Sequence, residues 1–69
     1  MRYAVVYEQT PNNWAAYVPD LPGCIATGAT REEVERLIGE GIRLHIGLMR
    51  ESGEVVPSAT TTVGSVDAE

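Results

Sequence analysis

Few residues in this sequence carry chemistry, and their spacing decides what kind. Asp20 stands in the run Pro19-Asp20-Leu21-Pro22-Gly23-Cys24, and Glu8 is the only other carboxylate ahead of residue 30. A metal-dependent nuclease needs several carboxylates converging on Mg²⁺. The remaining acids fall on a helix face or near the termini, so Glu8 and Asp20 are too few for that chemistry. Asp20 is then either a partner contact, a vestigial catalytic carboxylate, or a turn aspartate bonding its own backbone, the role its proline neighbours favour. His45 and Cys24 are the sole histidine and cysteine, which excludes an intramolecular disulfide and a Cys/His zinc cluster. No cation adjoins Cys24 to activate a thiolate, so it reads as a small buried apolar residue. His45, on an apolar helix face, reads as a buried, hydrogen-bonded side chain. The sequence therefore assigns no catalytic residue, no cofactor and no metal.

Trp14 and Tyr17 have the rings for stacking on bases, but such binding needs a cationic groove along the phosphates. The five basic residues, Arg2, Arg31, Arg36, Arg43 and Arg50, are scattered, lysine is absent, and ten acids leave a net charge of −5. An acidic surface suits a basic protein partner, or serves solubility alone. The candidate partner-binding residues are Trp14, Tyr17 and the loop Asp20, Leu21, Pro22, Gly23. The acidic helix face with Glu32, Glu35 and Glu40 is a second candidate.

The elements that position these residues follow from pattern. Tyr3–Tyr7 and Trp14–Val18 are apolar and rich in aromatic and β-branched residues, and Thr10-Pro11-Asn12-Asn13 between them is turn chemistry. Together they predict an antiparallel hairpin. The two prolines of residues 19–23 break the second strand, and Cys24–Thr27 predicts a third. Thr30 with Glu33 forms a capping box that opens a helix over Arg31–Ser52, with Gly53 as its stop. Val34, Leu37, Ile38, Gly41, Leu44, His45 and Leu48 recur on one buried face of that helix, widened by Ile42, Ile46 and Met49. Glu32–Arg36 is an i, i+4 pair in the favourable order. Thr60–Val63 has the β-branched content of a final strand. The expectation is one domain over residues 1–66 with 67–69 frayed. It is an α+β fold of order β-β-β-α-β: a three- to four-stranded, mainly antiparallel sheet with one helix on one face.

Two features point to a partner. Neither hairpin strand alternates apolar and polar residues as a strand with one wet face should, so the face away from the helix needs a cover. Gly39, Gly41 and Gly47 lie inside the helix, at about 1 kcal/mol each relative to alanine. Gly41 falls on the buried face, where it would let the helix approach the sheet; Gly39 and Gly47 lack that reason. No apolar run approaches the ~20 residues of a membrane span and no signal peptide is legible. Together with the free cysteine, this predicts a cytoplasmic protein.

The segment Tyr17-Val18-Pro19-Asp20-Leu21-Pro22-Gly23-Cys24, then Ala26-Thr27-Gly28 and Thr30-Arg31-Glu32-Glu33, resembles the signature of the HicB antitoxin family. Tyr3–Tyr7 and Gly53-Glu54-Val55-Val56-Pro57 resemble it in the same order, so the likeness covers nearly the whole chain. The resemblance implies a fold likened to a double-stranded-RNA-binding domain or a reduced ribonuclease H. It also implies a dimer or higher oligomer that neutralises a small basic HicA-type, mRNA-cleaving toxin by capping its active site. Many members add a C-terminal DNA-binding domain. With three residues after Val66, no helix-turn-helix is expected here, and direct DNA binding is not expected. The alternatives are an orphan homo-oligomeric domain without a toxin, and an RNA-binding module or relic nuclease.

Overall fold

The computed structural model describes residues 1–69. Three strands, β1 (Val6–Gln9), β2 (Trp14–Tyr17) and β3 (Ile25–Gly28), form an antiparallel sheet in the order β1-β2-β3, and the helix α1 (Arg31–Glu51) follows. This is the expected α+β arrangement with β-β-β-α order. The register places Tyr7, Ala16 and Ala26 in one row, and Val6, Tyr17 and Ile25 in the adjacent row on the opposite face. Opposed residues share a face and successive ones alternate.

The core lies between α1 and the inner face. Ala16, Val18, Leu21, Cys24, Val34 and Ile38 are buried, with Tyr3, Val5, Tyr7, Trp14, Ala26, Ile42 and Ile46 packed around them. Only six of 69 residues are buried, so this core is thin and each member matters. The loop between β2 and β3 contributes more than a connection. Leu21 N–H donates to Val18 O and Cys24 N–H to Leu21 O, each at 3.1 Å, while Val18 N–H donates to Cys24 O at 3.1 Å. These bonds fold Pro19–Gly23 back on itself and drive Leu21 to complete burial. Gly23 takes φ +85° there, a left-handed value that glycine adopts without steric cost.

Both ends of α1 are capped. Thr30 Oγ1 accepts from Glu33 N–H at 3.1 Å, and Glu33 Oε2 accepts from Ala29 N–H at 3.1 Å, one residue earlier than the usual reciprocal bond. At the other end Gly53 (φ +74°) donates to Arg50 O and Glu54 donates to Met49 O, which is the paired-bond pattern of a Schellman ending. Strand and helix approach closely at Gly28, where a Cβ would lie 3.0 Å from Val34 Cγ2. At Gly41 a Cβ would meet Cys24 Sγ at 3.9 Å, an ordinary contact, so the packing of α1 does not depend on that glycine.

Several expectations are corrected. β1 is laddered over Val6–Gln9, not Tyr3–Tyr7. Glu8 and Gln9 oppose Ala15 and Trp14, so the partner strand and not local polarity sets its limits. No fourth strand forms; residues 54–69 carry no regular structure. Arg36 pairs with Glu40 at 3.4 Å and Arg31 with Glu35 at 3.3 Å, leaving Glu32 out of the expected pair.

Candidate functional site

Asp20 does not bond its own turn. Its carboxylate accepts from Thr60 N–H (3.0 Å), Thr60 Oγ1–H (3.1 Å), Thr61 N–H (2.9 Å) and Thr61 Oγ1–H (2.8 Å). The β-branched residues expected in a last strand are held instead by this one side chain. The Thr61 backbone N–H, then its hydroxyl, hold the Asp20 carboxyl below the ordinary aspartate range; desolvation opposes them, and the Thr60 hydroxyl and N–H add to the lowering. A second tie lies upstream, where Tyr3 O–H donates to Pro57 O at 2.6 Å. Asp20 is thus a structural clamp, and no group of three or more His, Cys, Asp or Glu residues is arranged to hold a metal. Cys24 is buried, which pushes its thiol pKa up and keeps it protonated.

The other candidates separate onto different surfaces. Trp14 is half-buried and packs against the core from the inner face. Tyr17 lies on the outer face, 41% exposed, beside Ile25 at 72%. Leu21 is buried, while Pro22 and Gly23 are exposed. Glu32, Glu35 and Glu40 are exposed on α1, the latter two in ion pairs with arginines.

Three residues absent from the sequence-derived candidates complete the picture. Ile25, Leu44 (65% exposed) and Leu48 (54%) are large apolar side chains open to solvent. They surround a cleft between β3 and α1 lined also by Gly23, Cys24, Gly41 and His45. An adjoining cleft of about 430 Å³ has Leu21, Pro22, Met49 and Pro57 on its walls and shares His45 and Leu48. The helical repeat puts Glu40 one turn before Leu44, and Glu51 about one turn after Leu48. Glu54 is among the residues lining the larger cleft. The result is an apolar strip with Glu54 in its lining, no arginine there, and Glu40 and Glu51 within a helical turn of it. Periodicity had assigned Leu44 and Leu48 to the buried face; a sheet of three short strands is too narrow to cover that whole stripe.

The flank of α1 toward β1 differs. There a cleft of about 400 Å³ is lined by Met1, Ile42, Ile46 and Gly47 together with Arg43 and Arg50. Arg31 lies over the Tyr7 ring, 4.2 Å from its centroid. That flank is cationic where the other is anionic.

The family described as HicB-like antitoxin of bacterial toxin-antitoxin systems matches residues 3–69. The chain belongs to the HicB-like antitoxin family. A UPF0150 protein of Thermoplasma acidophilum is 33% identical over 58 residues, covering 83% of this chain and 84% of that protein. A UPF0150 protein of Helicobacter pylori is 43% identical over 42 residues, 61% of this chain and 58% of its own length. An uncharacterised protein of Haemophilus phage HP1, from its rep-hol intergenic region, is 34% identical over 59 residues, 86% of this chain. The chain spans only 44% of the phage protein and 58% of the Helicobacter protein. No solved structure matches the chain. No helix of this HicB-like chain is long and apolar enough to cross a membrane.

Proposed function

We propose that this HicB-like chain is a non-catalytic binding module of the bacterial cytoplasm that neutralises a small basic HicA-type, mRNA-cleaving toxin by capping its active site. The observation that carries the reading is the exposed apolar strip Ile25, Leu44 and Leu48, with Glu54 lining the adjoining cleft and Glu40 (paired with Arg36) and Glu51 within a helical turn of Leu44 and Leu48. Desolvated apolar anchors supply affinity. The acidic rim steers a cationic partner and rejects a neutral or acidic one. The arginine-lined flank toward β1 would repel the same partner. Pro22 and Gly23, from the loop candidates, and Glu40, from the acidic face, fall at this strip; Trp14, Glu32 and Glu35 lie away from it.

Self-association belongs to the same reading, as a homodimer or higher oligomer. It is supported by Val6 and Tyr17 on the outer face, which no helix or strand of the chain covers.

The test is cleavage of a messenger RNA by the purified HicA-type toxin encoded in the same genome, with this protein added in increasing ratio. Cleavage should cease near equimolar addition. Undiminished cleavage at several-fold excess would overturn the reading.

A further inference from the structure

We infer that residues 54–61 form a strap that walls the larger of the two clefts, and that Asp20 and Tyr3 are the positioning residues that hold it there for the partner. This rests on the reading of that surface as the one that takes the toxin.

Three pieces of chain build that cleft. The last turns of α1 supply Leu48 and Met49, the loop after β2 supplies Leu21 and Pro22, and the strap supplies Glu54 and Pro57. Helix and turn hydrogen bonds secure the first two pieces. The third has no such support. After Glu54 N–H donates to Met49 O, the strap makes no further backbone–backbone hydrogen bond. Side chains from elsewhere hold it instead. Tyr3 O–H donates to Pro57 O, at a residue that lines the cleft, and the Asp20 carboxylate takes the N–H and hydroxyl donors of Thr60 and Thr61. Val56 and Pro57 are half-buried, whereas Val55 and Ser58 on either side of them are exposed. The strap is thus drawn onto the body at the point where it meets the cleft.

Asp20 couples two walls. It directly precedes Leu21 and Pro22, so one short loop lines the cleft with two side chains and holds the strap with a third. Glu54 is the only carboxylate in the lining and forms no ion pair within the chain. Apolar walls with one unpaired carboxylate fit a basic side chain of the toxin, its alkyl stem along the walls and its cation toward Glu54. A wall fixed before the partner arrives needs no ordering on binding, whereas a loose strap has to be immobilised at that moment, at the expense of affinity.

The experiment is calorimetric titration of the full chain and its variants with the purified HicA-type toxin. Asp20→Ala should bind about tenfold more weakly, through the added cost of ordering the strap, while its β2 amide resonances stay in place. Asp20→Asn should bind like the parent, because its amide oxygen accepts both N–H groups and its NH₂ donates to the hydroxyl oxygens. Tyr3→Phe keeps the ring that packs against the core and should bind several-fold more weakly; it carries the same test without touching the turn. Pro57→Ala should weaken binding several-fold in the parent and no further in Asp20→Ala, where that wall is already lost, whereas a loss through stability alone would add. Binding by Asp20→Ala and Tyr3→Phe as tight as the parent's would overturn the strap and leave the capping reading standing. Additive losses from Asp20→Ala and Pro57→Ala would overturn the positioning role. A parent that binds no toxin would overturn the capping reading and the strap with it.

Discussion

The two flanks of α1 are built from similar apolar residues and differ in what surrounds them. Toward β1, Ile42 and Ile46 are half-buried against the core and bordered by Arg43 and Arg50. Toward β3, Leu44 and Leu48 are more than half exposed, with Glu40 and Glu51 within a helical turn of them and Glu54 in the adjoining cleft. Burial of an apolar side chain stabilises the fold, whereas an exposed cluster of large ones on a small domain marks a surface that another molecule covers. The difference teaches that one amphipathic stripe is covered unequally by a narrow sheet. One part of it completes a thin core, and the part overhanging β3 stays exposed, the surface that the proposed function gives to a basic partner.

The largest expected effect sharpens the contrast from the core side. Ile38→Ala, in a residue 2% exposed, should cost about 2–5 kcal/mol of stability in denaturant titration, enough to unfold much of a domain this small. On the exposed flank, Leu48→Ser should leave stability within about 0.5 kcal/mol. It should weaken toxin binding by about 2 kcal/mol or more, some thirtyfold, as measured by calorimetry. If Leu48→Ser unfolds the protein instead, the flank belongs to the core and the contrast collapses. Charge reversal comes next. Glu40→Lys with Glu51→Lys should slow association with a basic toxin several-fold at low salt and little at high salt, whereas Arg43→Glu should speed or spare it.

Gly47→Ala probes the helix alone. A Cβ there meets nothing within 4 Å, so the helix should gain up to about 1 kcal/mol in thermal unfolding. The smallest effect concerns the clamp. The Asp20 carboxyl titrates below its ordinary range because Thr61 and Thr60 bond the charged form. A depressed pKa stabilises the clamp at pH above the unfolded value, and that stabilisation is lost as pH falls through the folded one. The Thr60 and Thr61 amide resonances should therefore move toward free-tail positions in acid, below the usual aspartate range, while those of β2 hold.

Much of this was legible in the sequence. β2, the Thr30 cap and the Gly53 stop were readable because each rests on local chemistry that nothing distant overrides. The span of β1 was not, because its ladder is set by β2. The tail was not, because Thr60 and Thr61 find their partner in Asp20, forty residues away, where a strand and a clamped extended segment look alike in composition. Asp20 drew notice for its place between prolines, which suggested a bond to its own turn; its actual partners, Thr60 and Thr61, lie beyond any local rule. Leu44 and Leu48 escaped the candidate site because periodicity gives the width of an apolar stripe, and only the sheet's breadth tells how much of it is covered. The interior glycines stay without a cause inside the chain: Gly39 and Gly47 are not enforced by any contact.

The most direct test of the account is to titrate the isotope-labelled protein with the purified HicA-type toxin and follow its amide resonances. Perturbation should concentrate at Gly23, Ile25, Leu44 and Leu48 and spare Ile42, Arg43 and Ile46. Perturbation centred on the arginine-lined flank, with the β3 side unmoved, would contradict it.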